Sequence, residues 1–179
     1  YGLHAIAGSV NIRTRTGGSY IDARLSAGSY DAFEGQLAAG YETGALSQNY
    51  MVGYREGDGY RDHGATSRFS ISGKWGFAIT PDIKIGAIAR YFEADGQEAG
   101  YLSFTGSRTD PRMTNAYNAT DGGKRNAQQY VVSFDAAFND SLDLTALGYM
   151  NTLDDDRFVK FYAGTSQQRR QAIETQKGD

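Results

Sequence analysis

The sequence predicts an all-β fold and favours a transmembrane antiparallel β-barrel over a soluble β-sandwich. Apolar and polar residues alternate through seven strand-length segments, which indicates strands because successive side chains point to opposite faces. Apart from Glu56 at the end of the third segment, no Asp, Glu, Lys or Arg falls on the apolar parity of these segments. Short connections such as Thr80-Pro81-Asp82 and Asn139-Asp140 have turn chemistry, since Pro fixes φ and Asn and Asp favour turns.

The first four segments each place an apolar series on one parity and a polar series on the other. They cover 21–27, 33–42, 47–56 and 68–79, with a tight connection at 29–31. Their apolar positions are Ile21, Ala23, Leu25 and Ala27, then Phe33, Gly35, Leu37, Ala39 and Tyr41, then Tyr50, Val52 and Tyr54, then Phe69, Ile71, Gly73, Trp75, Phe77 and Ile79. This period of two is that of a half-exposed strand.

Three further segments complete the alternation, separated by one long interruption at 93–128. The segments are 83–91, 129–138 and 142–150. Their apolar positions are Ile83, Ile85, Ala87, Ala89 and Tyr91, then Tyr130, Val132, Phe134, Ala136 and Phe138, then Leu142, Leu144, Ala146, Gly148 and Met150. The stretch 168–179 stays open between an eighth strand and a loop.

A period of two does not say which way the apolar face points, because β-sandwiches alternate as well. Three observations favour the barrel. Gly and Ala are frequent on the apolar face, which suits lipid better than a close-packed core. Aromatic residues stand near the ends of segments, as in interfacial girdles. The opposite face keeps mid-strand charges that suit a water-filled lumen, namely Arg24, Lys74, Arg90 and Asp135.

Composition excludes several classes of function. A formal net charge of -3 argues against a nucleic-acid partner, which requires a concentrated basic face. The absence of cysteine excludes disulfides and thiolate metal sites, and no apolar run is long enough for a membrane-spanning helix. No nucleophile elbow or phosphate-binding loop is present, so we predict no enzymatic activity, no metal site and no cofactor.

Three small clusters are interpreted as structural. His4 and His63 are far apart in sequence. Asp154-Asp155-Asp156 lacks the alternating spacing of a calcium loop, so a solvated strand end or loop is expected. Arg169-Arg170 is interpreted as part of a solvated loop rather than an anion clamp.

The segment 93–128 is the candidate ligand-binding region. Loops longer than about 15 residues without structure of their own tend to be functional or disordered. Aromatic and cationic side chains suit a flat, anionic, partly aromatic ligand through stacking and charge. The candidate residues are Tyr101, Phe104, Arg108, Arg112 and Tyr117, with Lys124 and Arg125 in the same segment. The alternative is an external loop whose protein binds its ligand elsewhere.

The N-terminal residues carry the most specific motif. Tyr1-Gly2, Ala5-Ile6-Ala7-Gly8 and Val10-Asn11-Ile12-Arg13-Thr14 follow one another directly before the first strand segment. This order resembles the end of the plug domain of TonB-dependent outer-membrane receptors of the siderophore-receptor type. The resemblance implies that 1–17 end a plug domain and that 18–179 form the first 7–8 strands of a 22-stranded barrel.

The resemblance also implies topology. The first strand would run outward, so 29–32, 57–66, 93–128 and the chain from 155 onward would be external. The connections 42–48, 80–82 and 139–140 would then be periplasmic turns. Residues 2–14 would lie inside the barrel, with Arg13 and Arg15 contacting lumen carboxylates such as Asp22 or Glu34. Ile71, Gly73, Trp75, Phe77 and Ile79 would face lipid, and Lys74 the lumen or plug.

The function implied by the resemblance is active transport across the bacterial outer membrane. The expected partners are TonB with its inner-membrane energising complex, outer-membrane lipid and a ferric-siderophore ligand. Cobalamin, haem or a saccharide are alternative cargoes. A passive porin or structural barrel is a second hypothesis, and a secreted carbohydrate-binding β-sandwich is a third. Because the chain opens inside the motif, we expect a fragment that lacks the TonB-contacting box, most of the plug and the later strands.

Overall fold

The computed structural model describes residues 14–15, 17–139, 141–159 and 169–173. The strands are β1 (Tyr20–Gly28), β2 (Ala32–Thr43), β3 (Leu46–Gly57), β4 (Thr66–Thr80), β5 (Ile83–Gln97), β6 (Gly122–Asn139), β7 (Leu142–Val159) and β8 (Arg169–Ile173). A short helix α1 (Phe104–Thr109) and a 3-10 turn (Ala116–Asn118) lie between β5 and β6. None of the described helices is long and apolar enough to cross a membrane.

All the strands belong to one antiparallel sheet in the order β1-β2-β3-β4-β5-β6-β7-β8. Each strand pairs with its sequence neighbour, so the sheet is a simple meander, and the prediction of an all-β antiparallel fold is confirmed. Within the described residues the sheet is open, since β1 and β8 are its two edges. A β-sandwich would require a second sheet packed on the first, and the described residues form no such sheet.

Three strand boundaries predicted from the sequence were wrong, and in each case the observed strand is longer than the predicted one. β5 continues to Gln97 and β6 begins at Gly122, so the connection is 98–121 rather than 93–128. Lys124 and Arg125 therefore lie on β6. β7 runs through Asp154, Asp155 and Asp156, which were expected in a strand end or loop, and β8 contains the backbone of Arg169 and Arg170.

These extensions were missed because both faces of the strands become polar there, and the apolar alternation ends before the ladder does. Cross-strand ion pairs accompany the ladder instead. Lys124 lies 3.1 Å from Asp95 on β5, and Arg125 pairs with Asp155 on β7. The backbone pairing continues from Gln97–Gly122 down to Ile83–Ala136 without a break.

The strand register aligns apolar residues with apolar residues across the sheet. Leu37 on β2, for example, lies opposite both Ala23 and Val52. Leu37 and the other apolar residues aligned with it lie on one face of the sheet, which we call the apolar face. No described element covers this face. Leu25 is 76% exposed and Val132 62%, while Ala136 is the sole buried hydrophobic residue in the described part of the chain.

The apolar face is limited on one side by tyrosines on β3, β5 and β6. Each tyrosine hydroxyl donates to a polar side chain two residues away on the same strand. In each case this acceptor lies nearer to the end of the sheet that carries the long loops. Tyr54 donates to Glu56 at 2.8 Å, Tyr91 to Glu93 at 2.8 Å and Tyr130 to Gln128 at 3.1 Å. Apolar surface gives way to polar surface at this line, and a tyrosine suits such a boundary because its ring is apolar and its hydroxyl polar.

This boundary is inclined to the hydrogen-bonding rows of the sheet. Tyr54 lies opposite Phe69. Tyr91 lies opposite Ile71, two residues farther from the long loops than Phe69 on β4, and Tyr130 lies opposite Ala89, two residues farther from the long loops than Tyr91 on β5. The boundary thus shifts by four residues, about 13 Å, over three strand spacings of about 4.8 Å each. Its inclination to the rows is about 43° from these spacings.

The other face, which we call the polar face, carries the chain segment that leads into β1. Arg15 forms an ion pair with Asp22 at 3.0 Å, and its guanidinium lies 4.4 Å from the centre of the Tyr20 ring. Lys74 Nζ donates to the Arg15 carbonyl at 3.3 Å and approaches Thr14 Oγ1 at 3.5 Å. The described part of this leading segment therefore lies on the polar face, against the middle of the sheet.

Candidate functional site

Three of the described connections stand together at one end of the sheet, which we call the loop end. They are L1 (29–31), L2 (58–65) and L3 (98–121). The connections at the opposite end are short: Gly44 and Ala45 join β2 to β3, and Pro81 and Asp82 join β4 to β5. L2 and L3 are long and the connections at the opposite end are short, as the sequence predicts, although L3 is shorter than expected and L1 has only three residues.

Arg61 of L2 joins L2 to L3. Its guanidinium donates to three backbone carbonyls of L3, those of Ala99 at 3.1 Å, Gly100 at 2.5 Å and Met113 at 2.7 Å. Carbonyls separated by 14 residues along L3 are thereby held at one point. Arginine suits this role because its planar fork presents five N–H donors in fixed directions.

Further hydrogen bonds reinforce the same contact. The Asp62 amide donates to the Arg112 carbonyl at 2.8 Å, and the Thr114 hydroxyl donates to the Asp62 carbonyl. His63 Nε2 lies 2.6 Å from the Asp121 carbonyl. L2 and L3 therefore form one hydrogen-bonded cap over the loop end.

L3 has its own small polar core. Asn118 and Asp121 are buried, and the Asn118 amide donates to the Asp121 carboxylate at 2.6 Å. Gly100 lies against Asn118 with φ of +68°, and a Cβ at Gly100 would stand 2.4 Å from the Asn118 side chain. Only glycine fits this position, because the backbone is left-handed and the space is already filled.

The five candidate ligand residues fall into two exposed groups and two separate positions. Phe104 and Arg108 stack on α1, with the guanidinium 4.6 Å from the ring centre. Arg112 lies 5.6 Å from the ring centre of Tyr30 in L1, and Tyr30 packs edge-on against Tyr60 at 5.8 Å. Among the ring and cation contacts of the described residues, Tyr101 and Tyr117 join neither group.

Exposure differs between these residues. Tyr101 is 94% exposed and Phe104 75%, and Tyr117 is half-buried in the 3-10 turn. Exposed aromatic rings beside guanidinium groups can bind a flat anionic ligand by stacking and charge. The arrangement presents two such groups at the loop end.

Arg13 and Arg15 were expected to contact the barrel from the plug. Arg13 lies outside the described residues. Arg15 pairs with Asp22, one of the two carboxylates considered from sequence; the other, Glu34, accepts a hydrogen bond from Gln36 at 2.6 Å instead.

Sequence reasoning missed Arg61, Tyr30 and Tyr60, whose partners lie on other loops. It also missed a row of arginines on the polar face, Arg55, Arg68 and Arg125, directly below the cap. Arg61 lies in a Gly- and Asp-rich loop, and it belongs to no sequence motif that would indicate its role. Its nearest partner carbonyl is 38 residues away in sequence, so only the strand register could have revealed it.

The described residues hold no group of three or more His, Cys, Asp or Glu side chains arranged to bind a metal ion. No known protein family matches the chain, and no curated protein sequence matches it.

Proposed function

We propose that these strands are part of a closed outer-membrane β-barrel that transports a scarce nutrient, with a ferric siderophore as the expected cargo, by a TonB-dependent mechanism. The single observation that carries the proposal is the inclined apolar face bounded by tyrosines. In membrane barrels the strands tilt by about 35–45° from the barrel axis. A membrane boundary then crosses the hydrogen-bonding rows at that same angle, and the boundary through Tyr54, Tyr91 and Tyr130 crosses them at about 43°.

The height of the apolar face supports the same proposal. On β2 it runs from Phe33 to Tyr41 and on β5 from Ile83 to Tyr91. Eight residue steps span about 26 Å along a strand, or about 19 Å along the membrane normal at this tilt. On β4, from Phe69 to Ile79, ten steps give about 24 Å along the normal. Outer-membrane barrels carry an apolar band about 25 Å tall between aromatic girdles.

The plug and TonB parts of the proposal depend on the N-terminal motif and on the path of the leading segment. Arg15 and Thr14 lie on the polar face, which becomes the lumen of the proposed barrel. A chain that enters β1 from the lumen is what a plug connected to the first strand requires. In the proposed protein the cap formed by L2 and L3 faces the outside, and its aromatic and cationic groups contact the cargo.

The test uses the full-length protein in a bacterial strain that lacks its own receptor for a supplied ferric siderophore. Uptake of iron-labelled siderophore is measured with and without TonB. Saturable uptake that requires both the protein and TonB supports the proposal. TonB-independent, non-saturable diffusion of small solutes would instead identify a passive porin. Recovery of the full-length protein in the aqueous fraction without detergent would exclude an outer-membrane barrel.

A further inference from the structure

The polar face carries one row of side chains, directly below the cap, in which cations outnumber anions. Across the sheet the register aligns Glu34, Arg55, Arg68, Ala94, Arg125 and Asp155. Arg125 pairs with Asp155. Glu34 lies opposite Arg55 but accepts a hydrogen bond from Gln36 at 2.6 Å.

Arg55 and Arg68 are therefore the two arginines of this row that have no carboxylate partner in the part of the chain that the structure describes. They lie directly opposite each other on β3 and β4, where Cβ atoms are about 5 Å apart and like charges destabilise a sheet. Among the described residues neither guanidinium forms an ion pair or a hydrogen bond, and both are exposed. The strand register holds these two like charges side by side, and within the described residues their N–H donors are free. An anion-binding site has the same features before its ligand binds.

The space beside the pair is open. Ala94 is the next residue of the row after Arg68, and its small side chain leaves a hollow of about 630 Å³ lined by Arg68, Phe92, Arg125 and Arg157. The other three cations of its lining are already paired: Lys124 with Asp95, Arg125 with Asp155, and Arg157 with Glu98, whose carboxylate accepts two bonds at 2.7 Å. The uncompensated charge of the hollow is that of Arg68, next to Arg55.

We propose that Arg55 and Arg68 bind an oxyanion group of the transported ligand, a carboxylate or a phosphate, at the side of the hollow that Arg68 lines and next to which Arg55 lies. The inference rests on the proposed function, because it places the polar face in the lumen below an external cap. Arginine forks match the two oxygens of a carboxylate or phosphate bidentately, and one oxyanion between two forks removes their mutual repulsion. Phe92 provides an apolar wall for the rest of the ligand.

The test is calorimetric titration of the full-length protein in detergent. Sodium citrate and inorganic phosphate are the two probes, each compared with chloride at matched ionic strength. The variants are R55Q/R68Q, R68K, and R24Q as the control. Arg24 lies exposed on the same face of β1, opposite Gln36 and outside the row.

We expect the dissociation constant of the preferred probe to rise at least tenfold in R55Q/R68Q, by an intermediate factor in R68K, and not at all in R24Q. Preference for citrate assigns the site to carboxylates, and preference for phosphate assigns it to phosphates. Because R55Q/R68Q removes two like charges that face each other, its melting temperature should equal or exceed that of the unmodified protein.

Two outcomes overturn the inference. In the first, neither probe binds the unmodified protein more tightly than chloride, or R55Q/R68Q binds as the unmodified protein does. In the second, R55Q/R68Q lowers the melting temperature without a change in probe affinity, which would mean that a carboxylate of the protein itself is the partner. Binding to purified protein does not require TonB. Loss of the TonB requirement for uptake, with the arginine effect retained, would refute the proposed function and not this site.

Discussion

Replacement of Leu37 and of its neighbour Ala38 by arginine tests which face of the sheet contacts lipid. The two residues are adjacent on β2 and point to opposite faces. Leu37, 48% exposed, lies on the apolar face opposite Ala23 and Val52, and Ala38 lies on the polar face opposite Asp22. Leu37 is four residues from each end of the β2 apolar series, at Phe33 and Tyr41, and therefore stands near the middle of the proposed membrane.

The expected changes in the free energy of unfolding follow from this position. An arginine at the bilayer midplane of a barrel costs about 2–4 kcal/mol. Leu37→Arg should therefore lower the free energy of unfolding by that amount. Ala38→Arg places the same charge at the same depth, next to Asp22 and facing the proposed lumen, and should change it by less than about 1 kcal/mol because exposed ion pairs contribute little.

The measurement is denaturant unfolding of the full-length protein in lipid vesicles, followed by far-ultraviolet circular dichroism. Both variants are compared with the unmodified protein at the same lipid ratio. The reasoning is refuted by equal costs for the two variants, or by a larger cost for Ala38→Arg. Either result would mean that the apolar face packs against protein.

Four more predictions concern the same face and the cap. Ile71→Arg should impair folding into bilayers by about 2–4 kcal/mol while Lys74→Ala leaves it nearly intact, measured as the folded fraction in vesicles; equal effects would contradict the assignment of faces. Gly73→Ala should cost about 1–3 kcal/mol through overpacking, because the new Cβ would stand 2.3 Å from the Trp75 ring. Gly96→Ala, where the nearest atom is 3.6 Å away, is its control, and equal unfolding midpoints would refute the argument. Arg61→Ala should release L3, with opening easier by about 2–4 kcal/mol from the lost charged hydrogen bonds, seen as faster hydrogen exchange in 98–121; unchanged exchange would show that the cap holds without Arg61. Deletion of 101–118 should leave the barrel assembled, since loop length changes closure entropy only slowly, but weaken binding of the ferric chelate; unchanged binding and uptake would remove the cap residues from the site.

The strands could be predicted where one face is apolar and the other polar. β1, β2 and β4 match the sequence segments closely for this reason. The upper parts of β5, β6 and β7 could not be predicted, because Glu93, Asp95 and Lys124 stand at positions that carry apolar residues lower in the same strands. There the hydrophobic pattern ends, while backbone pairing and ion pairs continue the sheet.

The position of the cap in the chain could be predicted from the sequence, but the contacts that hold it together could not. The length of the third loop indicated a functional segment, and its aromatic and cationic residues were named from composition. Arg61 and the pair Arg55 and Arg68 depend on contacts between residues that are 13 to 52 positions apart in sequence. Such contacts follow from the strand register, which a period of two leaves undetermined until the turns are fixed.

The polar face also bears on the size of the proposed barrel. A barrel of eight strands has an interior just wide enough for its own side chains or for one small ligand. Here the polar face already carries the backbone of the leading segment, with Lys74 bonded to the Arg15 carbonyl. An interior filled by side chains does not hold a chain segment as well. We therefore expect the proposed barrel to have a larger circumference, as in the plugged barrels of 22 strands. Its β1 edge must pair with another strand, because unpaired N–H and C=O groups are not tolerated in lipid.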